Sequence, residues 1–207
     1  MHTINFDISD ECDDLNEVFS GDVFAIQTFK VIKNIFGIRN LVETGTYKGA
    51  TSIYLSKYFE RIYSIELNDE NYKYVNGKIG EKNINNIKLY HGSSVNLLES
   101  VIKDELIDNS TLFYLDAHWY DPCPLLDELE SISKCGLRPV IMIHDFQVPG
   151  SNLRYYGDRD RPFNFDYIKD KVERIYGVDG YRYWYNEENY VGKGNAGMIF
   201  IVPKICV

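Results

Sequence analysis

The sequence predicts an α/β fold: a mostly parallel seven-stranded sheet with helices on both faces and an antiparallel C-terminal strand. Three observations predict it. Five short apolar runs between residues 39 and 144 alternate with helical patterns, and such alternation builds a parallel sheet covered on both sides. Two last runs, at 181–185 and 197–202, are aromatic or apolar and read as an antiparallel pair. The chain has 207 residues, without a repeat or a Gly/Ser-rich or Pro-rich linker, which suits one domain with a sizeable core.

In chain order, residues 1–20 read as a polar lead-in. Over 22–37, Val23, Ile26, Phe29, Ile32 and Phe36 recur at helical spacing and stop at Gly37, a good helix terminator. This helix is expected either to cover the sheet edge or to meet a partner, so a homo-oligomer stays open. Strands are expected at 39–43, 61–67, 87–91, 111–116 and 140–144. Helices are expected at 49–59, 69–82, 94–103, 125–134 and 165–176. Asn68 or Asp69 can cap the second of these, and Pro122 and Pro124 lead into the fourth. Residues 147–164 form a long polar loop. The arrangement is Rossmann-like, and in such sheets ligands sit outside the carboxyl ends of the strands, near the point where strand order reverses.

Composition excludes several classes. A net charge of −9 and a pI near 4.9 argue against binding nucleic acid by phosphate neutralisation. No run approaches the ~18 apolar residues of a membrane span. The first residues are polar and acidic, unlike a signal peptide. Cys12, Cys123, Cys135 and Cys206 are scattered, without C-x-x-C spacing, as expected of free thiols in a reducing compartment. A cytoplasmic protein is the expectation.

The strand ends carry the chemistry. The first runs Glu43-Thr44-Gly45-Thr46-Tyr47-Lys48-Gly49. Gly45 permits a tight turn, and Gly49 permits close approach to a ligand or close helix–sheet packing. The spacing is neither G-x-G-x-x-G nor that of a phosphate loop. Glu43 would repel a pyrophosphate and suits a cationic ligand. Glu66 closes the second strand, where an acid can accept from two ribose hydroxyls. The third ends in His91-Gly92-Ser93-Ser94, a turn placed to meet a base edge or simply to cap a helix. The fourth ends in Asp116-Ala117-His118 and the fifth in His144-Asp145.

An acid and two glycines in E-x-G-x-x-x-G after the first strand, with an acid after the second, resemble the cofactor site of class I S-adenosylmethionine-dependent methyltransferases. The resemblance spans residues 40–146 and extends to the antiparallel tail. It implies that Glu43 approaches the ammonium of S-adenosylmethionine, that Gly45, Thr46, Tyr47, Gly49 and Ser52 line the cofactor, that Glu66 holds the ribose, and that Ser93, Ser94 and Asp116 join them. D-x-H after strand four and H-D after strand five are similar to a branch of sugar and natural-product O-methyltransferases, some of which bind a divalent metal. That implies transfer of a methyl group to a hydroxyl of a sugar or glycan. A phenolic small molecule is the alternative acceptor, and a non-catalytic cofactor-binding domain the alternative function.

In this reading His118 is the general base, supported by Asp116 and Asp145, because a near-neutral pKa suits the task. Asp116, His144 and Asp145 would hold Mg²⁺ or Mn²⁺. The metal-dependent relatives tend to have two adjacent acids after strand five; His144-Asp145 departs from that, and the imidazole favours manganese. The resemblance divides one methyltransferase domain into a lead-in and helix (1–38), a cofactor-binding core (39–146), a lid or acceptor loop (147–164), and a C-terminal helix and hairpin (165–207). Tyr155, Tyr156, Arg159 and Arg161 on the loop, with Trp119, Tyr120, Tyr183 and Trp184, are candidates to contact a small-molecule or glycan acceptor.

Overall fold

A computed structural model of the chain describes residues 17–118, 122–186 and 196–204. Cys12, Trp119, Tyr120 and Cys206 lie outside the described residues, as does the lead-in up to residue 16. In chain order the elements are α1 (Val23–Ile35), β1 (Asn40–Thr44), α2 (Ala50–Leu55), β2 (Arg61–Glu66), α3 (Asp69–Glu81), β3 (Ile87–His91), α4 (Ser94–Asp104) and β4 (Thr111–Leu115). They continue with α5 (Leu125–Lys134), β5 (Val140–His144), β6 (Gly157–Asp158), β7 (Arg161–Pro162), α6 (Phe165–Tyr176), β8 (Tyr181–Tyr185) and β9 (Met198–Pro203).

Seven strands form one sheet in the order β3-β2-β1-β4-β5-β9-β8. The first five are parallel, and β9 pairs antiparallel with both β5 and β8. The fold is the mostly parallel, Rossmann-like one the sequence predicts. A small hairpin, β6 with β7, stands apart from it.

Strand alternation explains why both faces are covered. Val42, Phe113, Leu115, Ile141, Ile143, Ile199 and Ile201 point to one face and share a core with α4, α5 and α6. Their neighbours Leu41, Leu112, Tyr114, Val140, Met142 and Phe200 point to the other and pack with α1 and α2. Side chains of a strand alternate with period two, so strands apolar at every position demand two apolar layers.

α1 does not cover the sheet edge. Its stripe of Ala25, Ile26, Phe29 and Ile32 lies in the core of one face, because those side chains match the apolar surface offered by β1, β4, β5 and β9. Asp22 caps the helix by accepting from the Ala25 N–H at 2.9 Å. The other Asp22 oxygen accepts from Asn186 Nδ2 at 2.7 Å. Asn186 also donates to the Ala196 carbonyl and accepts from the Met198 N–H, so one buried amide ties the start of α1 to the β8–β9 connection.

α2 is shorter than the expected 49–59 helix. Ser56 Oγ donates back to the Ile53 carbonyl at 2.7 Å, and the Tyr58 N–H reaches only three residues back, to Leu55. These tight bonds close the last turn. The strand order reverses between β1 and β4, so the connections that leave their carboxyl ends run to opposite faces of the sheet and leave a crevice there.

Candidate active site

A cavity of about 760 Å³ opens at that crevice, within the ~300–1,000 Å³ range of small-molecule sites. The ends of four parallel strands contribute to it: Gly45 and Tyr47 after β1, Glu66 and Leu67 at the end of β2, Gly92, Ser93 and Ser94 after β3, Asp116 and Ala117 after β4.

The first loop is built around Gly45. Its φ is +79°, and a Cβ there would stand 2.3 Å from the carbonyl oxygen of Asp116. Only glycine lets the β1 and β4 ends close so tightly. Gly49, at φ +77°, meets Val75 in the same way, which seats α2 against α3. Glu43, Thr46, Gly49 and Ser52 are not among the residues that line the cavity. Glu43 is buried and accepts hydrogen bonds from Ser52 Oγ and, at 2.5 Å, from Ser64 Oγ. Thr46 Oγ1 lies 2.6 Å from Ser64 Oγ and extends the chain of hydroxyls.

Burial pushes the Glu43 carboxyl up to about 7, against the lowering pull of the two serines. The folded protein therefore binds this proton more tightly than the unfolded chain. The resulting stability is fully present below 4.5, the ordinary value, and is lost as pH rises through about 7. A gap of that size is worth about 3 kcal/mol. Glu43→Gln cannot titrate, so urea unfolding of the two proteins from pH 4 to 8 should show the wild type losing that much relative to the variant. Parallel curves would show that folding does not change the proton affinity of Glu43.

Glu66 is held rigid. Its Oε2 accepts from the Tyr47 N–H at 2.6 Å and its Oε1 from the Asn68 N–H at 2.7 Å, so one carboxylate pins the loops after β1 and β2 together. Each oxygen keeps a second lone pair for a ligand. Ser93 occupies the N-cap of α4 without a side-chain cap bond, so its hydroxyl is not consumed by capping.

On the β4–β5 side stands a compact cluster. His144 Nδ1 lies 3.2 Å from Asp116 Oδ1 and 3.6 Å from Asp145 Oδ1. His118 Nε2 lies 3.8 Å from Asp116 Oδ1 and 3.6 Å from Asp145 Oδ2. Tyr114 donates to Asp116 Oδ2 at 3.0 Å. Asp116 Oδ1, His118 Nε2, both His144 nitrogens and both Asp145 oxygens are buried without a hydrogen-bond partner. So many orphaned groups in one spot are costly unless something shared satisfies them. Burial alone would lower the His144 pKa, but the two carboxylates outweigh it and push it up to about 10. Burial would raise Asp145, but the facing imidazoles hold its carboxyl well below the usual range. Asp145 also adopts φ +52°, a left-handed conformation that Asp tolerates better than most residues and that clusters at functional sites.

Among the described residues only Asp116 of this cluster borders the cavity. His118 sits behind it, buried edge-on against Phe163 with ring centroids 5.0 Å apart. Several acceptor candidates pack elsewhere: Tyr183 stacks on Phe165 at 4.1 Å, Trp184 on Phe200 at 5.6 Å, and Arg161 pairs with Asp158 beside Tyr167. The 147–164 loop is anchored at several points. Leu153 and Phe163 are buried, the Tyr156 N–H donates to the Asp145 carbonyl, and the Gln147 N–H donates to the Phe163 carbonyl.

Sequence reasoning missed Ser20, Asn71 and Arg154, which also line the cavity, and Glu128, a buried acid with one orphaned oxygen. Arg154 carried a signal, since it stands on the loop already singled out. Ser20 carried none: it lines the cavity because Phe19 and Ser20 both turn left-handed, at φ +48° and +55°.

No protein-family model matches the sequence, and no curated protein does. Solved structures do match. An O-methyltransferase from Bacillus cereus in complex with S-adenosylhomocysteine superposes over 95% of this chain and 93% of its own, at 19% identity and a TM-score of 0.60. A SAM-dependent methyltransferase from Aquifex aeolicus matches over 94% of this chain and 100% of its own, at 18% identity and a TM-score of 0.58. TomG from Streptomyces achromogenes, an O-methyltransferase involved in tomaymycin synthesis and solved with S-adenosylmethionine, matches over 94% and 91%, at 14% identity and 0.58. At these identities the likeness establishes the fold.

Proposed function

We propose that this chain is an S-adenosylmethionine-dependent O-methyltransferase acting on a hydroxyl of a sugar or glycan. The observation that carries the reading is the shared cavity, in which a rigid carboxylate, Glu66, lies with the glycine-lined turn on one side and Asp116, backed by its histidine cluster, borders the other. A phenol is the alternative acceptor, and a panel of hydroxylated acceptors with labelled cofactor separates the two.

S-adenosylmethionine supplies an electrophilic methyl group: the acceptor oxygen bonds to the methyl carbon as the carbon–sulfur bond breaks, and the hydroxyl proton passes to the protein. Glu66 accepts from the ribose hydroxyls with its remaining lone pairs. Ser93 and Ser94 meet the base. Glu43, Thr46, Gly49 and Ser52 shape the floor that receives the amino-acid end, and Gly45 and Tyr47 wall it. Asp116, the member of the cluster at the cavity surface, touches the acceptor hydroxyl and orients it. The hydroxyl proton passes to Asp116 and from it to His118 behind, which ends the step protonated, and Asp145 holds His118 in place. Positioning and base assistance of this kind contribute ~10²–10⁴-fold each or more.

The orphaned oxygens and nitrogens of Asp116, His144 and Asp145 fit a divalent cation, since one ligand atom from each lies within 4.8 Å of the others. These three would hold Mg²⁺ or Mn²⁺, and such an ion supplies charge stabilisation for the alkoxide oxygen when bound. No helix among the described residues is long and apolar enough to cross a membrane. A cytoplasmic setting belongs to the same proposal.

Isothermal titration with S-adenosylhomocysteine tests the reading: saturable binding is expected, and none at millimolar concentration would defeat it. Glu66→Ala removes two ribose acceptors and the clamp between two loops. At ~1.5–3 kcal/mol per charged hydrogen bond, its affinity for that ligand should fall by at least ~10-fold.

A further inference from the structure

The cluster of Asp116, His144 and Asp145 has a fourth neighbour that the proposed function leaves unused. Arg154 Nη2 stands 3.1 Å from Asp145 Oδ1, off the line a hydrogen bond needs, since that oxygen remains without a hydrogen-bond partner. Asp145 is fully buried, whereas the Arg154 side chain is 44% exposed and lines the cavity. The Arg154 backbone is fixed: its carbonyl accepts from the Gly197 N–H at 2.8 Å, and the residue bridges to Ala196. Any displacement of Arg154 therefore falls on its side chain. It has somewhere to go, because the cavity is open beside it and the Tyr156 ring lies 5.8 Å from the guanidinium.

We propose that Arg154 is a built-in competitor for the cation site: its guanidinium neutralises Asp145 when no ion is bound, and a divalent ion must displace it to reach the Asp145 carboxylate. The inference rests on the reading of Asp116, His144 and Asp145 as a cation site. An ion bound to a carboxylate oxygen at the usual ~2.0–2.2 Å would stand within ~5 Å of a guanidinium sharing that oxygen, and like charges that close in a buried setting repel strongly. The two positive charges therefore compete for Asp145. Displacement moves the positive charge of Arg154 toward the cavity, so cation binding changes the electrostatics the acceptor meets.

The test uses the full chain without cofactor or acceptor, and Mn²⁺ alone as the probe. Isothermal titration, with the electron paramagnetic resonance signal of free Mn²⁺ as a second readout, is expected to show Arg154→Gln binding the ion on the order of tenfold more tightly than wild type, equivalent to ~1.4 kcal/mol. Arg154→Lys keeps the charge and should stay close to wild type. Equal or weaker binding by Arg154→Gln overturns the proposal while leaving the cation site standing, as does a gain in Arg154→Lys equal to that in Arg154→Gln. Absence of Mn²⁺ binding in both wild type and Arg154→Gln removes the cation site itself, and this inference with it. A measurement on wild type needs no variant to fold: phenylglyoxal labelling of Arg154, followed by mass spectrometry, should quicken when Mn²⁺ saturates the protein, and an unchanged rate overturns the proposal.

Discussion

Gly45→Ala is expected to abolish binding of S-adenosylhomocysteine and to destabilise the fold by roughly 2–5 kcal/mol. Two costs add. A non-glycine residue at φ +79° pays ~1–2 kcal/mol of left-handed strain. The new methyl group would stand 2.3 Å from the Asp116 carbonyl oxygen and 2.9 Å from the Ala117 Cα, both backbone atoms that no rotamer change can move aside. Overpacking of that kind costs a further ~1–3 kcal/mol. The strain is relieved by moving the β4 end away from β1, which displaces Asp116 and Ala117 from the cavity wall. Urea unfolding measures the first effect and calorimetric titration the second. The control is Gly80→Ala on α3, where nothing lies within 4 Å of an added Cβ and the affinity should not change. A Gly45→Ala protein that binds like wild type would show that the β1–β4 crevice is not the cofactor site.

His118→Gln is expected to lower turnover by ~10²–10⁴-fold, the usual contribution of a proton acceptor, with cofactor affinity close to wild type. The separation follows from geometry. His118 lies behind Asp116 with its side chain 1% exposed and does not line the cavity, yet its Nε2 is 3.8 Å from the one cluster member that does. Glutamine keeps a polar group of similar reach and limits the packing loss beside Phe163. The discriminating readout is the split between kcat and cofactor affinity: turnover should fall while the dissociation constant of S-adenosylhomocysteine stays put. A purely structural His118 would lower the melting temperature and leave kcat of the folded protein close to wild type.

Much of the fold was legible because its elements are strongly patterned. β3, β5, α5, α6 and β8 begin and end where apolar runs and helical spacing place them. Gly37 ends the first helix with φ +61°, and Asn68 caps α3 by accepting from the Asn71 N–H, as its residue type suggests. The illegible parts depend on distant partners. β6 and β7 are two residues each and carry no periodicity. α1 could be placed on a face only once β9 was known to supply Met198, Phe200 and Val202 beneath it. In the site, the strand-end acids and histidines were legible because a parallel sheet delivers its strand ends to one rim. What was not legible is depth: which of Glu43 and Glu66 reaches the cavity, and which of Asp116 and His118, is decided by side-chain packing. Arg154 reaches Asp145 only because the loop folds back on β9.

The position of β9 between β5 and β8 sets the order in which a nascent chain can finish folding. While the earlier segments leave the ribosome, the β5 edge has unpaired amides and carbonyls, and the core under α1 lacks Met198, Phe200 and Val202. Both defects persist until Met198–Pro203 has been synthesised and inserted, and only then does Asn186 close on Asp22. A truncated or stalled product therefore exposes a sticky strand edge, and the protein's dependence on chaperones should be concentrated in that late interval of translation.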